Sequence, residues 1–415
     1  MVAAVERMVG SQRDSAWDHT VWIRPELSGA LVEAIEPSDA EEVARQILEK
    51  FAVPPVRLRS ALSTLIAGMP PRPRIVEFDE IRSGAPEFGL PPINDVDALA
   101  AWLNITIDEL MWFADRGDWL RKSVPRLQHY RVRRIPKRHG GFRVIEAPKE
   151  RLATLQRRVL AGILNLVPAH PAAHGFVKGR SPESFARPHS LHDNVIRIDL
   201  KHCFEHVTIG RVQTVFTAIG YSPAVSRYLA AICTTSTTPG ELPIDDVFHA
   251  GLLRNRHVPQ GAPTSPALVN LALRRLDFRV AGYAKANQMN YTRYGDDLAL
   301  SGDMTMGRAL WVVSQVIADE GFTIHPDKVR VMGDHQRQQL TGLVVNERPR
   351  SRRSEYDALK ALLHNATRTG AAAQNHSERG DFRAYVYGRI GWVATGSDIR
   401  RQKLLALAAQ VDWDN

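Results

Sequence analysis

Residues 290–302 read NYTRYGDDLALSG. A β-favouring segment lies on either side of Gly295, and the acidic pair Asp296 and Asp297 follows that glycine directly. This pattern predicts a β-hairpin that presents carboxylates at its tip. Turns often contain Asp and Gly for their backbone preferences alone. The meaning of this hairpin therefore depends on what else the chain contains.

A second carboxylate stands at the end of a predicted buried strand. Residues 195–200, VIRIDL, contain Asp199, and a buried carboxylate is costly unless it is paired or bound to a cation. An N-cap role for Asp199 is the alternative. Brought together on one sheet, Asp199, Asp296 and Asp297 would hold two divalent cations for an in-line displacement. Lys328 would protonate the leaving group. Such a constellation is typical of a template-directed polymerase.

The overall charge favours a polyanionic partner. The 415 residues include 54 Lys+Arg and 45 Asp+Glu, a net charge of +9. This balance suits nucleic acid or a membrane surface. The two cysteines argue against a disulfide scaffold. Because no apolar run has transmembrane length and no signal core is present, we expect a cytoplasmic protein with no membrane partner.

A second hairpin is predicted at residues 130–143, YRVRRIPKRHGGFR, with its turn at Gly140 and Gly141. A small hairpin that carries one sign of charge on both strands fits phosphate contact better than a solvated face. Two further basic segments share this expectation, a Gly-containing loop at 174–181 and an arginine-rich run that begins at 348. The predicted nucleic-acid-binding residues are Arg131, Arg133, Arg134, Arg138, Lys178, Arg180, Arg348, Arg350, Arg352 and Arg353.

Histidines are the other candidate ligands. The run His202-Cys203-x-x-His206 is reminiscent of zinc sites, but structural zinc takes four N or S ligands and no second pair lies at a suitable spacing. We therefore expect no zinc site in this run. Hydrogen-bonded loop positions are expected for His170, His174, His189 and His192.

Residues 1–95 predict a helical N-terminal extension with a Gly/Pro-rich linker at 83–92. The rest of the chain alternates helical and strand patterns. Helices are expected at 95–115 (two), 152–167, 209–219, 222–233, 266–278, 310–317, 355–365, 382–393 and 399–411. A strand and turn are expected at 321–328, and a strand at 339–345.

Three segments resemble motifs A, B and C of reverse transcriptases, in the family's order and spacing. They are Asp199-x-x-x-x-Phe204, Pro259-Gln260-Gly261-x-Pro263-x-Ser265 and Tyr294-Gly295-Asp296-Asp297. Residues 135–143 are similar to the fingers hairpin of that family. Over residues 95–400 the chain most resembles bacterial retron reverse transcriptases. The residues that carry this likeness are His174-Gly175-Phe176, Gly179, Ser181, Ala186, His189 and Leu340-Thr341-Gly342-Leu343-Val344-Val345-Asn346.

The resemblance implies an α+β right-hand polymerase. Fingers and a palm with an antiparallel sheet would occupy residues 96–346, a helical thumb and RNA-binding region residues 347–415, and the helical extension residues 1–95. Two Mg²⁺ ions are implied, with Mn²⁺ as an alternative. The implied metal set is Asp199, Leu200, Asp296 and Asp297, of which Asp297 is the weaker neighbour.

The resemblance also assigns the substrate site. Lys137 and Arg143 would contact the triphosphate of the incoming dNTP. Gln260 and Gly261 would lie along the template–nucleotide pair. Phe204 would be the steric gate that excludes a ribose 2′-OH.

Members of this family use a structured noncoding RNA as template and primer, and they prime from one of its 2′-hydroxyls. The product is single-stranded DNA joined to RNA as a branched hybrid. The resemblance implies such a cognate RNA and cDNA for this chain. It also implies anti-phage defence with a separate effector protein.

Four residues depart from the retron pattern. Phe185 stands where Asn is usual, Leu340 where Val is usual, Gly295 where Ala is usual, and His325 where Asn is common.

Three other functions are compatible with part of this pattern. Viral RNA-dependent RNA polymerases share Gly-Asp-Asp but have an acidic residue where Phe204 stands. For a group II intron maturase, the nearer alternative, the segments at 174–176 and 340–342 favour the retron instead, and no endonuclease cluster follows the predicted thumb. A catalytically silent RNA-binding scaffold is disfavoured because all three carboxylates are present.

Overall fold

The structure is a computed structural model that describes residues 5, 24–32, 37–51, 58, 60–62, 88–137, 142–243, 246–302 and 306–413. The chain divides into two compact units, Met1–Arg72 and Pro73–Asn415. Among the described residues no helix is long and apolar enough to cross a membrane. The domain limits at residues 95 and 346 remain predictions.

The first unit is helical, as expected. It contains α1 (Arg24–Val32) and α2 (Pro37–Lys50). Both helices bury apolar side chains in one small core, which includes Leu27, Leu31, Val43, Ile47, Leu58 and Leu62. Residues 83–87 of the predicted linker lie outside the described residues.

The second unit combines helices with antiparallel strands and confirms the α+β class. Its helices before the C-terminal bundle are α3 (Val96–Leu103), α4 (Ile107–Ala114), α5 (Glu150–Gly162), α6 (Pro182–Ala186), α7 (Cys203–His206), α8 (Ile209–Ala218), α9 (Pro223–Cys233), α10 (Val247–Arg254), α11 (Ser265–Ala272), α12 (Arg274–Ala286) and α13 (Met306–Asp319). Its strands are β1 (Tyr130–Pro136), β2 (Phe142–Pro148), β3 (Asn194–Lys201), β4 (Asn290–Tyr294), β5 (Asp297–Ser301), β6 (Thr323–Ile324), β7 (Arg330–Gly333), β8 (Gln339–Leu340) and β9 (Leu343–Val344).

A five-stranded sheet carries the acidic residues. Its order is β4-β5-β3-β6, and β7 also pairs with β3. All pairings are antiparallel. Apolar residues of β3 such as Ile196, Ile198 and Leu200 are buried in the main hydrophobic core, which helices α3–α5, α8, α9 and α11–α13 share. The core therefore packs against one face of the sheet and supports β3. Such support suits a strand that carries a carboxylate near its end.

The remaining helices form a C-terminal bundle with its own core. These are α14 (Arg353–Thr369), α15 (Phe382–Val393) and α16 (Asp398–Ala408). Leu359, Leu363, Val386, Ile390 and Leu404 meet in that core. Their spacing in the sequence is what predicted the three helices.

Several expectations about individual elements are corrected. The helix expected at 266–278 is two helices, α11 and α12, and the second continues to Ala286. The strand expected at 339–345 is a tight hairpin, β8–β9, because Thr341 and Gly342 both have positive φ. Strand β7 and helix α10 were not anticipated. Both are short, and periodicity is weak over so few residues.

Candidate active site

Strands β3 and β5 bring the predicted carboxylates together. Their register places Asp199 directly opposite Asp297. The N–H of Leu200 donates to the carbonyl oxygen of Asp296 over 2.9 Å. Asp199 is buried, Asp296 is half-buried, and both line one cleft. Two residues that lie far apart in the sequence thus face the same space.

Asp297 faces a different partner. Both of its carboxylate oxygens accept hydrogen bonds from the Arg197 guanidinium, at 2.8 to 3.0 Å. The sequence analysis missed Arg197, although its position was a usable signal. Arg197 and Asp199 are two residues apart on β3, so a side chain on β5 opposite one is a diagonal neighbour of the other. Both oxygens of Asp297 are therefore engaged by Arg197, although Asp297 lies opposite Asp199 in the sheet.

Electrostatics make this a site that favours a cation. Burial, with the charges of Asp297 and Asp199, raises the pKa of Asp296 to about 6. Burial also raises the pKa of Asp297, against the opposing effect of Arg197. Crowded carboxylates disfavour ionisation unless positive charge balances them. The hard oxygen donors of Asp199 and Asp296 therefore fit a divalent cation such as Mg²⁺.

Lys328 already supplies one positive charge. Its Nζ donates to both oxygens of Asp199, at 2.8 and 3.0 Å. The lysine ends a short 3₁₀ turn after β6, and the N–H of His325 in that segment bonds to the Asp199 carbonyl oxygen over 2.8 Å. The Lys328 side chain is half exposed at the cleft. The ammonium group is thus held beside the carboxylates yet open to a ligand.

The cleft has a volume of about 580 Å³. Fingers hairpin, sheet and loop residues all contribute to its wall. The predicted site residues among its lining are Arg134, Lys137, Arg143, Asp199, Leu200, Gln260, Asp296 and Lys328. Cationic side chains from β1–β2 therefore face the two carboxylates across one cavity.

Three predicted site residues lie elsewhere among the described residues. Asp297 pairs with Arg197, Gly261 packs on β2, and Phe204 is half-buried against the main core. Phe204 belongs to α7, whose His202, Cys203 and Glu205 do line the cleft. Arg138 lies outside the described residues.

Comparison with known proteins agrees with this geometry. Residues 135–345 match the model of the family described as reverse transcriptase (RNA-dependent DNA polymerase). The retron Mx65 reverse transcriptase of Myxococcus xanthus is 37% identical over 302 residues, which cover 72% of this chain and 69% of that protein. The chain belongs to the retron reverse transcriptases. It is therefore an RNA-directed DNA polymerase with the right-hand polymerase fold.

Two further retron reverse transcriptases are similar to this one. The Mx162 enzyme of Myxococcus xanthus is 36% identical over 67% of this chain and 60% of its own length. The Ec86 enzyme of Escherichia coli is 30% identical over 67% of this chain and 79% of its own length.

A buried arginine supports the turn that carries Asp296. Arg293, which is fully buried, donates to both oxygens of Asp277 at 2.7 and 2.8 Å. The same guanidinium donates to the Asn270 side chain at 3.0 Å and to the Gly295 carbonyl oxygen at 2.9 Å. Tyr291 adds a hydrogen bond to Asp277 at 2.7 Å. In this reverse transcriptase the hydrogen bond from Arg293 thus fixes the backbone of Gly295, the residue before Asp296. No pattern in the sequence pointed to this network.

The His174-Gly175-Phe176 segment supports the same turn from the other side. A Cβ atom at Gly175 would lie 2.4 Å from the backbone nitrogen of Gly295, so only glycine fits there. Gly295 itself has φ +62, a conformation that costs other residues about 1–2 kcal/mol. Glycine adopts this conformation without that cost, and nothing in the structure explains the Ala that is usual in retron enzymes.

Two other departures from the retron pattern belong to the protein interior. Phe185 and Leu340 are both fully buried, and they share one apolar cluster. His189 lies next to this cluster and is hydrogen bonded to Ser301 at 2.8 Å and Thr292 at 2.7 Å. As expected, His170, His174 and His192 are also hydrogen bonded within the protein.

The motif B loop is joined to the fingers hairpin. The N–H of Glu146 in β2 donates to the Gln260 carbonyl oxygen over 2.7 Å. A Cβ atom at Gly261 would lie 3.2 Å from the Glu146 carbonyl oxygen. The Glu146 carboxylate accepts from Thr237 at 2.7 Å and pairs with buried His257 at 2.8 Å. Burial alone would lower the pKa of His257, but the carboxylate outweighs it and raises that pKa.

The expectation about zinc needs a refinement. Cys203 and His206 do not join His202 in a cluster of ligands. His202 instead lies beside Glu205 and His249, with the two imidazole rings stacked at 3.9 Å. Burial, with the nearby His249, lowers the pKa of His202 to about 4. His249 was missed because its helix, α10, was not anticipated.

A second, basic cleft lies where strand β9 meets the start of α14. It has a volume of about 460 Å³, and all four arginines predicted in this region line it. Arg337 is an additional member that the sequence analysis missed. The charged residues of the wall are Arg337, Arg348, Arg350, Arg352, Arg353 and Glu347.

The other residues predicted to bind nucleic acid differ in whether their side chains are already hydrogen bonded within the protein. Arg131, Arg133 and Lys178 are exposed. Arg134 donates to the backbone carbonyl oxygens of residues 240–242. Arg180 donates to the carbonyl oxygens of Pro171 and Ala173. The last two arginines therefore also hold loops in place.

Proposed function

We propose that DNA synthesis takes place at Asp199 and Asp296, by two-metal phosphoryl transfer in the cleft beneath the fingers hairpin. The observation that supports this most is the convergence of these two carboxylates on one cavity lined by Lys137 and Arg143. Asp297 has the lesser role, because its oxygens are engaged by Arg197.

The carboxylate oxygens of Asp199 and Asp296, with the backbone of Leu200, would hold two Mg²⁺ ions or Mn²⁺ in their place. When bound, the ions activate the attacking hydroxyl and offset the charge on the leaving pyrophosphate. Lys328 holds a proton at Nζ beside Asp199 and donates it to the leaving group. Lys137 and Arg143 contact the triphosphate and orient it.

The substrate side of the cleft is formed by motif B. Gln260 lines the cleft, and its carbonyl oxygen is bonded to β2. Gly261 lacks a side chain and lets the loop lie against Glu146. We assign this loop the contact with the template–nucleotide pair, because its position is fixed relative to the cationic fingers residues.

Phe204 is assigned the exclusion of ribonucleotides. Replacing Phe204 by Val should raise the ratio of rNTP to dNTP incorporation by roughly 10–200-fold, since the smaller side chain leaves room for a 2′-OH. Single-nucleotide incorporation with matched dNTP and rNTP measures this ratio. Phe142→Val is the control, because Phe142 lines the cleft on the fingers side and should affect both nucleotides equally. An unchanged ratio in the Phe204 variant would remove the gate role.

RNA binding is assigned to the basic surfaces. The arginine cleft holds five guanidinium groups against one carboxylate, and the fingers hairpin adds exposed Arg131 and Arg133. The thumb region at 347–415 and the fingers and palm at 96–346 would thus both contact the cognate RNA and its cDNA.

Affinity for RNA should fall steeply with salt. If the arginine cleft neutralises about five phosphates, it contributes a slope of about −3.5 to −4.5 in log affinity against log salt concentration. Replacing Arg348 and Arg352 by Ala should lower that slope by about 2. Arg157→Ala is the control, because the Arg157 side chain is exposed on α5 and does not line either cleft. An affinity that does not change with salt would exclude a phosphate-dominated interface.

We further propose that the enzyme uses the retron reaction. It would bind a structured noncoding RNA, prime from an RNA 2′-hydroxyl and extend it with dNTPs into single-stranded DNA, leaving a branched RNA–DNA hybrid. The similarity to three retron reverse transcriptases supports this assignment. Anti-phage defence with a separate effector protein is the biological role that we propose.

The nucleic acid that copurifies with the enzyme tests this function. The enzyme is expressed together with the DNA that flanks its gene, purified, and its bound nucleic acid is treated with ribonuclease or with a 2′–5′ debranching enzyme. We expect DNA that retains a ribonucleotide branch after ribonuclease and loses it after debranching. Linear DNA with no branch would contradict retron priming.

A further inference from the structure

Three side chains with metal-binding groups lie in the cleft apart from the carboxylates of the sheet. His202 precedes α7, Glu205 lies within α7, and His249 belongs to α10. One ligand atom of each lies within 4.8 Å of the other two. Glu205 and His249 are each 4% exposed. Small side-chain movements would bring all three to one ion.

Two atoms of this group are buried without a hydrogen-bond partner among the described residues. They are Nε2 of His202 and Oε2 of Glu205. The other carboxylate oxygen of Glu205 accepts from Nε2 of His249 over 3.3 Å. Leaving a buried polar atom unpaired costs about 1–3 kcal/mol. The cluster therefore contains two buried ligand atoms that could bind a metal ion.

The backbone holds this arrangement under some strain. His202 has φ 51, a left-handed conformation that costs a residue with a side chain about 1–2 kcal/mol. Its ring lies nearly parallel to that of His249, with an interplanar angle of 25°. Strained residues that bring functional groups together are typical of ligand sites.

A fourth donor is at hand. The Asp246 carboxylate caps α10 by accepting from the N–H of His249 at 2.9 Å, and its other oxygen lies 3.9 Å from Nε2 of His202. Glu205 and Asp246 together balance the charge of a divalent ion. Lys137 is the cationic side chain of the fingers that faces the same part of the cleft. Lys137 acts electrostatically on His202, and Lys201 acts on the Asp246 carboxylate.

We propose that His202, Glu205 and His249 bind one Zn²⁺ ion, with Asp246 as the fourth ligand. Two imidazole nitrogens and carboxylate oxygens form a donor set that suits four-coordinate zinc. Mg²⁺ prefers oxygen ligands and would bind at Asp199 and Asp296 instead. The ion would join α7, which carries Phe204, to α10, and so would fix the position of that helix.

Cobalt serves as a visible probe for this site. The full-length enzyme is stripped of metal, returned to buffer that contains excess Mg²⁺, and titrated with Co²⁺. We expect one equivalent to give the intense d–d absorption of four-coordinate Co²⁺, and Zn²⁺ to displace it. If the wild-type enzyme gives only the weak spectrum of hydrated Co²⁺, the proposal is overturned.

Variants locate the ion. His202→Gln and His249→Gln should each weaken Co²⁺ binding by at least about 100-fold, since removal of a ligand costs at least as much as loss of a supporting group. His206→Gln is the matched control, because His206 is on the same short helix but outside the cluster. Equal affinity in the two ligand variants, or equal loss in the His206 variant, would exclude this site.

A variant that adds a spectroscopic signal tests the site even if the glutamine variants fold poorly. In His249→Cys the new thiolate should keep the ion bound and add a sulfur-to-cobalt charge-transfer band. Cys203 and Cys233 are buried and unchanged in this comparison. A Co²⁺-bound His249→Cys enzyme without that band would contradict the assignment of His249 as a ligand.

Discussion

Asparagine in place of Asp199 or Asp296 is expected to lower DNA synthesis by at least about 10³-fold. Each substitution keeps the shape of the side chain but removes a charge that faces the cleft. RNA binding should change little, because the basic surfaces are untouched. The yield of cDNA on the cognate RNA and the affinity for that RNA, measured on the same preparations, separate the two effects.

Asp327→Asn is the matched control for these variants. Asp327 lines the same cleft, but its side chain is 88% exposed and does not belong to the sheet. Its substitution should leave cDNA yield close to that of the wild type. Wild-type yields from the Asp199 or Asp296 variant would refute the proposed mechanism.

Loss of Arg293 should have the largest effect on stability. In Arg293→Met the Asp277 carboxylate, which is fully buried, loses its counter-charge. Removing one partner of a buried ion pair typically costs about 3–5 kcal/mol. The Gly295 carbonyl oxygen also loses its donor, so the folded fraction should synthesise DNA more slowly. Chemical denaturation and cDNA synthesis measure the two consequences.

A compensating variant distinguishes the charge from the packing. Arg293→Met combined with Asp277→Leu and Tyr291→Phe removes the whole buried pair, so it should recover much of the lost stability. Arg157→Met, on the exposed face of α5, breaks a surface pair with Glu150 and should cost about 1 kcal/mol or less. If Arg293→Met were no more destabilising than Arg157→Met, the supporting role of Arg293 would be wrong.

The features that sequence predicted well are those encoded locally. The β4–β5 hairpin follows from alternating residues around Gly295, and the β1–β2 hairpin from a Gly-Gly turn between basic strands. Motif spacing then predicted which carboxylates would meet, and Asp199 and Asp296 do face one cleft. Helices such as α15 were predicted from their apolar periodicity.

The features that sequence missed depend on contacts between distant segments. Asp296 and Asp297 are adjacent, identical residue types, so the sequence does not show which of them forms an ion pair. The register of β3 and β5 determines that Asp297 pairs with Arg197. The Arg293–Asp277 pair joins β4 to α12 through the core, where a charged residue is not expected without a partner. Likewise, His249 meets His202 only because α10 packs beside α7.

The most direct test of the account is the single-turnover rate of dNTP incorporation on one primed RNA template by the wild type and by Asp199→Asn, Asp296→Asn and Asp297→Asn. The account predicts that the Asp199 and Asp296 variants lose at least about 10³-fold. Asp297→Asn should lose less, because its carboxylate pairs with Arg197. A loss in Asp297→Asn that equals or exceeds the loss in Asp296→Asn would contradict the assignment of Asp199 and Asp296 as the catalytic pair.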